Sequence, residues 1–218
     1  MASLTSAKRL LKGAMVAFRL PDPTPQVIAF QYNPATLQRT LEPQTTGGGE
    51  GAPGEALRLT GAPVEKIKVD IEIDAADQLD AGSATAAEMG IHPQLALLEL
   101  LLYPSSAVVV ANTILLAVGT IEVIPTEGPF VLFIWGRRRI LPVRIGSFGV
   151  TEEEYDNNLN PIRAKVSLEL RVLNYNDLAK TSPGYHLFMA HHMTKEAMAL
   201  VAKAQALESV VGGNTPLI

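Results

Sequence analysis

Cysteine is missing from this chain. Its absence removes disulfide frameworks, thiolate metal centres and cysteine nucleophiles together. Charge is sparse as well. Asp, Glu, Lys and Arg make up 18% of the residues, with a net charge of −4. A dedicated nucleic-acid binder carries an overall excess of Lys and Arg instead. No stretch reaches the roughly 18 apolar residues that a spanning helix needs. The most apolar region, 91–124, is broken by Pro104, Ser105, Ser106, Asn112 and Thr113. The opening MASLTSAKRLLKGAMVAF has no continuous apolar core followed by a small-residue cleavage site. These absences predict a chain made in the cytoplasm and kept there at least initially, with no direct membrane span and no nucleic-acid partner.

Site chemistry is equally scarce. No G-x-S-x-G occurs, and GGGEG lacks the Lys-Ser/Thr that completes a phosphate loop. The four histidines are His92, His186, His191 and His192. His192 and Glu196 share a helical face, as two metal ligands would, but spacing places no third ligand beside them. Glu152, Glu153, Glu154 and Asp156 form an acidic run whose members alternate faces on a strand, so they do not converge for acid–base work. The expectation is a protein that is not an enzyme and carries no cofactor and no metal.

What the chain has is apolar patterning: 47% of its residues are hydrophobic, enough to bury surface against copies of itself or to line a large ligand cavity. AMVAFRL (14–20) and QVIAFQY (26–32) read as short strands separated by the PDPTP turn. ATLQRTLEP continues in an extended pattern. Residues 44–63, dense in Gly and Pro, read as a long flexible loop that a partner orders. VEKIKVDIEID (64–74) has the clearest period of two. Ile67, Val69, Ile71 and Ile73 face a core, opposite Lys66, Lys68, Asp70, Glu72 and Asp74. VSLELRV (166–172) repeats it.

PQLALLELLLYP reads as a helix begun at Pro93 and stopped by Pro104, with Leu95, Leu98 and Leu102 on one face. VVVANTILLAVGTIEVI (108–124) reads as one or two buried strands. PFVLFIWG and LPVRIGSFGVTEEEYD form a hairpin whose tip is Arg137, Arg138 and Arg139. Ser182-Pro183 starts a long amphipathic helix that runs to Gly212-Gly213. Its stripe of Met189, Met193, Ala197, Leu200, Ala204, Leu207 and Val211 is close to heptad spacing. This helix reads as a docking or self-packing element.

The arginine tip has two readings. A charged tip keeps an apolar hairpin soluble and blocks stray edge pairing. Alternatively, Arg forks pair with carboxylates of another subunit, the run 152–156 being one complement, across the hairpin or on a neighbour.

The ordered set "FQYNPATLQRTLEP", "PFVLFIWG" and "VTEEEYDNNLNPIRAKVSLELRVL" resembles the tube-type proteins of contractile injection systems and contractile phage tails. It is most similar to their tube-initiator or spike–tube adaptor family, over roughly residues 14–175. The resemblance rests on Phe30, Asn33 and Pro34, on Trp135-Gly136, and on the turn Asn160-Pro161-Ile162-Arg163-Ala164. Asn160 stands where the family usually has Gly; Asn tolerates left-handed backbone nearly as well. The LysM domain common in that family is replaced by the helix from 183.

The resemblance implies a mainly β (α+β) fold, a tail-tube-like antiparallel β-sandwich or barrel with one flanking helix, over residues 1–178. Residues 179–218 would form a C-terminal helical extension. It implies a hexameric ring linking tube to spike hub, with the inner tube protein, the spike or hub protein and other baseplate proteins as partners, within a phage tail-like particle. Subunit-interface candidates are Asn33, Pro34, Trp135, Arg137, Arg138, Arg139, Glu152, Glu153, Glu154 and Arg163. The alternative reading is a monomeric β-sandwich binding module that docks a partner through its C-terminal helix.

Overall fold

The computed structural model describes residues 11–19, 24–45, 58–117 and 128–211, with 204–211 through their backbone alone. Seven strands make one antiparallel sheet: β1 (Ala14–Phe18), β2 (Gln26–Ala29), β3 (Leu37–Glu42), β4 (Val64–Asp74), β5 (Phe130–Ile134), β6 (Ile140–Tyr155) and β7 (Pro161–Val172). Their order is β2-β1-β5-β6-β7-β4-β3. The fold is mainly β with helices added, as expected.

The sheet is curled. Gln31 lies two residues past the end of β2. Its side-chain amide donates to the Asp74 carbonyl at 2.8 Å and accepts from the Asp74 N–H at 3.0 Å, as a neighbouring strand's peptide group would. In a flat sheet β2 and β4 would stand five strand spacings apart, about 24 Å. Two residues extend the chain by only about 7 Å. β2 and the Asp74 end of β4 are therefore brought round towards each other, and residues 30–36 pass from the β1 side of the roll to the β4 side.

Period-two patterning fills the roll. Register aligns Ile67, Val69, Ile71 and Ile73 of β4 with Leu170, Leu168, Val166 and Ala164 of β7, and all are buried. Met15, Phe133, Leu141 and Val143 continue this layer across β1, β5 and β6. Each such side chain contributes about 1.5–3 kcal/mol on burial. The other face of β4 and β7 is charged and compensated, with Lys68 3.6 Å from Glu169 and Ser167 2.7 Å from Asp70.

Five helices are added: α1 (Ala76–Asp80), α2 (Ala84–Met89), α3 (His92–Glu99), α4 (Ser106–Ala117) and α5 (Pro183–Val211). The expected helix at 93–104 is the shorter α3. It buries Leu95 and Leu98, followed by Leu101, and leaves Leu97 and Leu102 exposed. The short helices α1 and α2 went unexpected. The first half of α5 packs on the roll, with Phe188 in the same core cluster and Gly184 against Phe130 and Leu178.

One expectation fails. Residues 108–117 of the apolar stretch 108–124 belong to the helix α4 rather than to a strand, and none of α4 is buried. An unbroken apolar run does not distinguish helix from strand by periodicity, and twelve residues is a helical length. The Ser105 carbonyl after Pro104 accepts from the N–H groups of Val108 and Val109, which closes the first turn. Residues 118–124, most of the Gly/Pro-rich loop, part of PDPTP and the helix stop at Gly212-Gly213 lie outside the described residues. The base of the loop is closed by a bridge between Thr45 and Leu59.

Candidate subunit interface

Asn33 clasps the segment that leads into β1. Its carbonyl accepts from the Gly13 N–H and its amide donates to the Leu11 carbonyl, both at 2.8 Å. This fixes the bend through Pro34, which is half-buried. Trp135 stacks on Phe133 at 6.0 Å and packs on Gly13, where a Cβ would meet both Phe30 and the Trp135 ring. These motif residues hold the roll together, and Trp135 is only partly accessible.

At the tip the Trp135 N–H donates to the Arg139 carbonyl at 2.8 Å, and Gly136 takes φ +71°, backbone that favours glycine. The three arginines then separate. Arg137 and Arg138 are exposed. Arg139 continues the inward series of Trp135 and Leu141 and sits over a buried ionic cluster. At its centre is Glu65, 4% exposed. Glu65 Oε1 accepts from Arg39 Nε and Nη2 at 2.8 and 2.6 Å, and Oε2 lies 3.3 Å from Lys195 Nζ of α5. Burial, with repulsion from Arg39, holds the Arg139 pKa below its ordinary value, opposed by Glu65.

His191 completes the junction. Its Nδ1 lies 3.1 Å from the Arg138 carbonyl. A carbonyl only accepts, so Nδ1 carries the proton and Nε2 is left a buried acceptor without a partner among the described residues. Burial, then Lys195, pushes the His191 pKa down. The tip is thus held against α5 rather than standing free. A cleft of 240 Å³ separates them, lined by Arg137, Arg138, Ile140, Leu187, Ala190, His191 and Thr194.

The acidic run stands at the other end of β6, about 40 Å along the strand from the tip. Pairing between the two within one hairpin is excluded by that distance. The acids have nearer partners: Glu153 meets Lys165 at 2.7 Å, and Arg163 bridges Glu154 and Asp74, each at 2.7 Å. The Ala76 N–H, with Arg163, holds the Asp74 carboxyl below its usual range. Asp156 is held low by the Asn160 side-chain amide. In the turn that follows, the left-handed residue is Leu159 (φ +64°) rather than Asn160. Asn160 instead donates to Asp156 and to the Glu88 carbonyl, tying the hairpin to α2. His192 pairs with Glu196 at 3.3 Å. Among the described residues no group of three or more His, Cys, Asp or Glu side chains is placed to hold a metal.

Three surfaces are left uncovered. β5 pairs with β6 only from Ile140 to Val143, so beyond it β6 runs to Tyr155 with one edge unpaired among the described residues. α4 carries no charge and exposes Val109, Val110, Ile114, Leu115 and Leu116. Residues 196–203 of α5 are exposed. Sequence reasoning missed the central residue, Glu65, although its signal was present: it is in phase with Ile67, Val69, Ile71 and Ile73 and so belongs to the buried face of β4. No described helix is long and apolar enough to cross a membrane. Comparison with protein-family models and with curated proteins finds no match to this chain.

Proposed function

We propose that this chain is a structural, ring-forming subunit of a contractile injection system, joining the inner tube to the spike hub in the baseplate of a phage tail-like particle. The observation that carries the reading is the free edge of β6 from Ile145 to Tyr155. A long unpaired edge is a template for another chain and a liability in a lone monomer. Ring closure covers every such edge with a neighbour. The resemblance at Phe30, Asn33, Pro34, Trp135 and Arg163 supports the same reading. So do the charge-compensated outer face of β4 and β7, suited to a polar lumen, and the uncharged helix α4, which calls for a covering surface. The work of such a subunit is assembly rather than catalysis.

Size-exclusion chromatography with light scattering tests this, on the chain alone at high concentration and mixed with a tube protein encoded beside it. The expected species is a six-copy ring or a co-assembly with the tube protein. A strict monomer that joins no ring refutes it. The exposed Met193, Leu200 and Val201 of α5 favour the second reading, a monomeric module docking a partner through that helix. A monomer whose partner is lost on truncation after Lys195 would establish it.

A further inference from the structure

The end of the roll that holds the arginine tip is out of charge balance. Arg137, Arg138 and Arg139 come from the turn, Arg39 from β3 and Lys195 from α5, and among the described residues the carboxylate that Arg39, Arg139 and Lys195 share is Glu65. Among the described residues, three cations share the one carboxylate and Arg137 and Arg138 stand exposed at the same tip, in a chain whose net charge is −4. The next acid along α5, Glu196, is turned to His192. Glu65 is already engaged by Arg39 and Lys195. Arg137 has no carboxylate partner among the described residues, and Arg138 has only a 3.9 Å contact with Met198 Sδ.

Beside these two guanidinium groups lies the 240 Å³ cleft, whose walls include Ile140 of β6 and Leu187 and Ala190 of α5. It is preformed, because the His191 Nδ1–H bond to the Arg138 carbonyl fixes the tip against the helix. A cationic rim over an apolar slot selects a ligand with both characters. Guanidinium forks bind carboxylates bidentately, and the slot takes an aliphatic side chain adjacent to them. A phosphate backbone satisfies the rim and leaves the apolar walls empty.

We propose that this cleft docks an acidic segment of a partner protein, its carboxylates held by Arg137 and Arg138 and an aliphatic side chain between them seated against Ile140, Leu187 and Ala190. The site stands apart from the ring reading, since a monomeric module would carry it equally.

The test is titration of the full chain with acetyl-Gly-Glu-Leu-Glu-Gly-amide at low salt, followed by calorimetry and by amide chemical shifts. Shifts are expected at Ile140, Leu187 and Thr194. Affinity should fall at least tenfold when both Glu of the peptide become Gln, and tenfold in the double variant Arg137→Glu with Arg138→Glu. Replacing the peptide's Leu by Ser should weaken binding as well. Arg144→Glu, on the outer face of β6, should leave it unchanged. Should the double reversal fail to fold, Arg137→Gln and Arg138→Gln read the same contacts. Equal binding of the Gln peptide, shifts away from the cleft, no binding at millimolar peptide, or tighter binding of inorganic phosphate or a single-stranded oligonucleotide would overturn the proposal. Oligomeric size is measured separately, so loss of peptide binding leaves the ring reading standing, and a monomer leaves the cleft standing.

Discussion

Removing the Glu65 carboxylate should unfasten α5 from the roll. The side chain is 5% exposed, with Arg39 and Lys195 at 2.6 and 3.3 Å. Deleting one partner of a buried ion pair costs about 3–5 kcal/mol, because the other charge stays behind uncompensated. Arg39 and Lys195 are 27% and 34% exposed and regain some water, which places Glu65→Ala at the lower limit, about 3 kcal/mol. At about 2–4 °C per kcal/mol for a chain of this size, the melting temperature falls by roughly 6–12 °C. Glu65→Gln keeps an acceptor for Arg39 and loses the charge, so it should fall between wild type and Glu65→Ala. Calorimetry gives the first number. Hydrogen exchange gives the second readout, since amides of 188–195 should exchange faster if the carboxylate fastens the helix. In a double-mutant cycle, Glu65→Ala and Lys195→Ala should be less than additive. A melting temperature within about 2 °C of wild type, with unchanged exchange in α5, would refute the assignment.

The turn between α2 and α3 gives a second prediction. Gly90 has φ +56°, and a Cβ there would lie 2.2 Å from the Pro161 carbonyl oxygen, so Gly90→Ala should destabilise by about 2–4 kcal/mol in denaturant unfolding; a neutral result would mean that the turn moves freely. Asn33→Ala removes both bonds to the β1 lead-in and should cost about 1–2 kcal/mol, with Asn33→Asp recovering part of it through the acceptor at Gly13; equal losses in both variants would deny the clasp. For His191 the folded pKa is depressed by burial and Lys195, so below about pH 6.5 the unfolded chain binds the extra proton first. Stability is then full above that pH and is lost as pH falls towards the folded pKa. Melting temperature should drop more steeply from pH 7.5 to 5.5 in wild type than in His191→Gln, and parallel profiles would remove His191 from the linkage.

The β elements were legible because period two is a local signal that burial enforces. β4 and β7 carry alternating side chains, and the hairpin of β5 and β6 is bounded by Trp135-Gly136. The long helix α5 was legible from Ser182-Pro183, and Ser182 Oγ does accept from the Tyr185 N–H at 3.2 Å. Two things were not legible, for different reasons. The stretch from Ser106 to Ala117 offers apolar side chains at every phase, so helix and strand fit it equally until a pairing partner is found; no described strand adjoins it, and the helix, whose hydrogen bonds are internal, is the form that needs none. The ionic junction is non-local. Arg39, Glu65, Arg139 and Lys195 lie far apart in sequence: the pairing of β3 with β4 brings Arg39 to Glu65, and the curl of the sheet and the docking of α5 add Arg139 and Lys195. A charged residue in phase with a buried apolar series is the one trace such a junction leaves, since burying a charge needs partners. Glu65 ahead of Ile67 implied cations nearby, and the fold supplies more of them than one carboxylate can balance. That surplus of cations among the described residues is the ground on which the tip of the β5–β6 hairpin is proposed as a receptor for acidic groups.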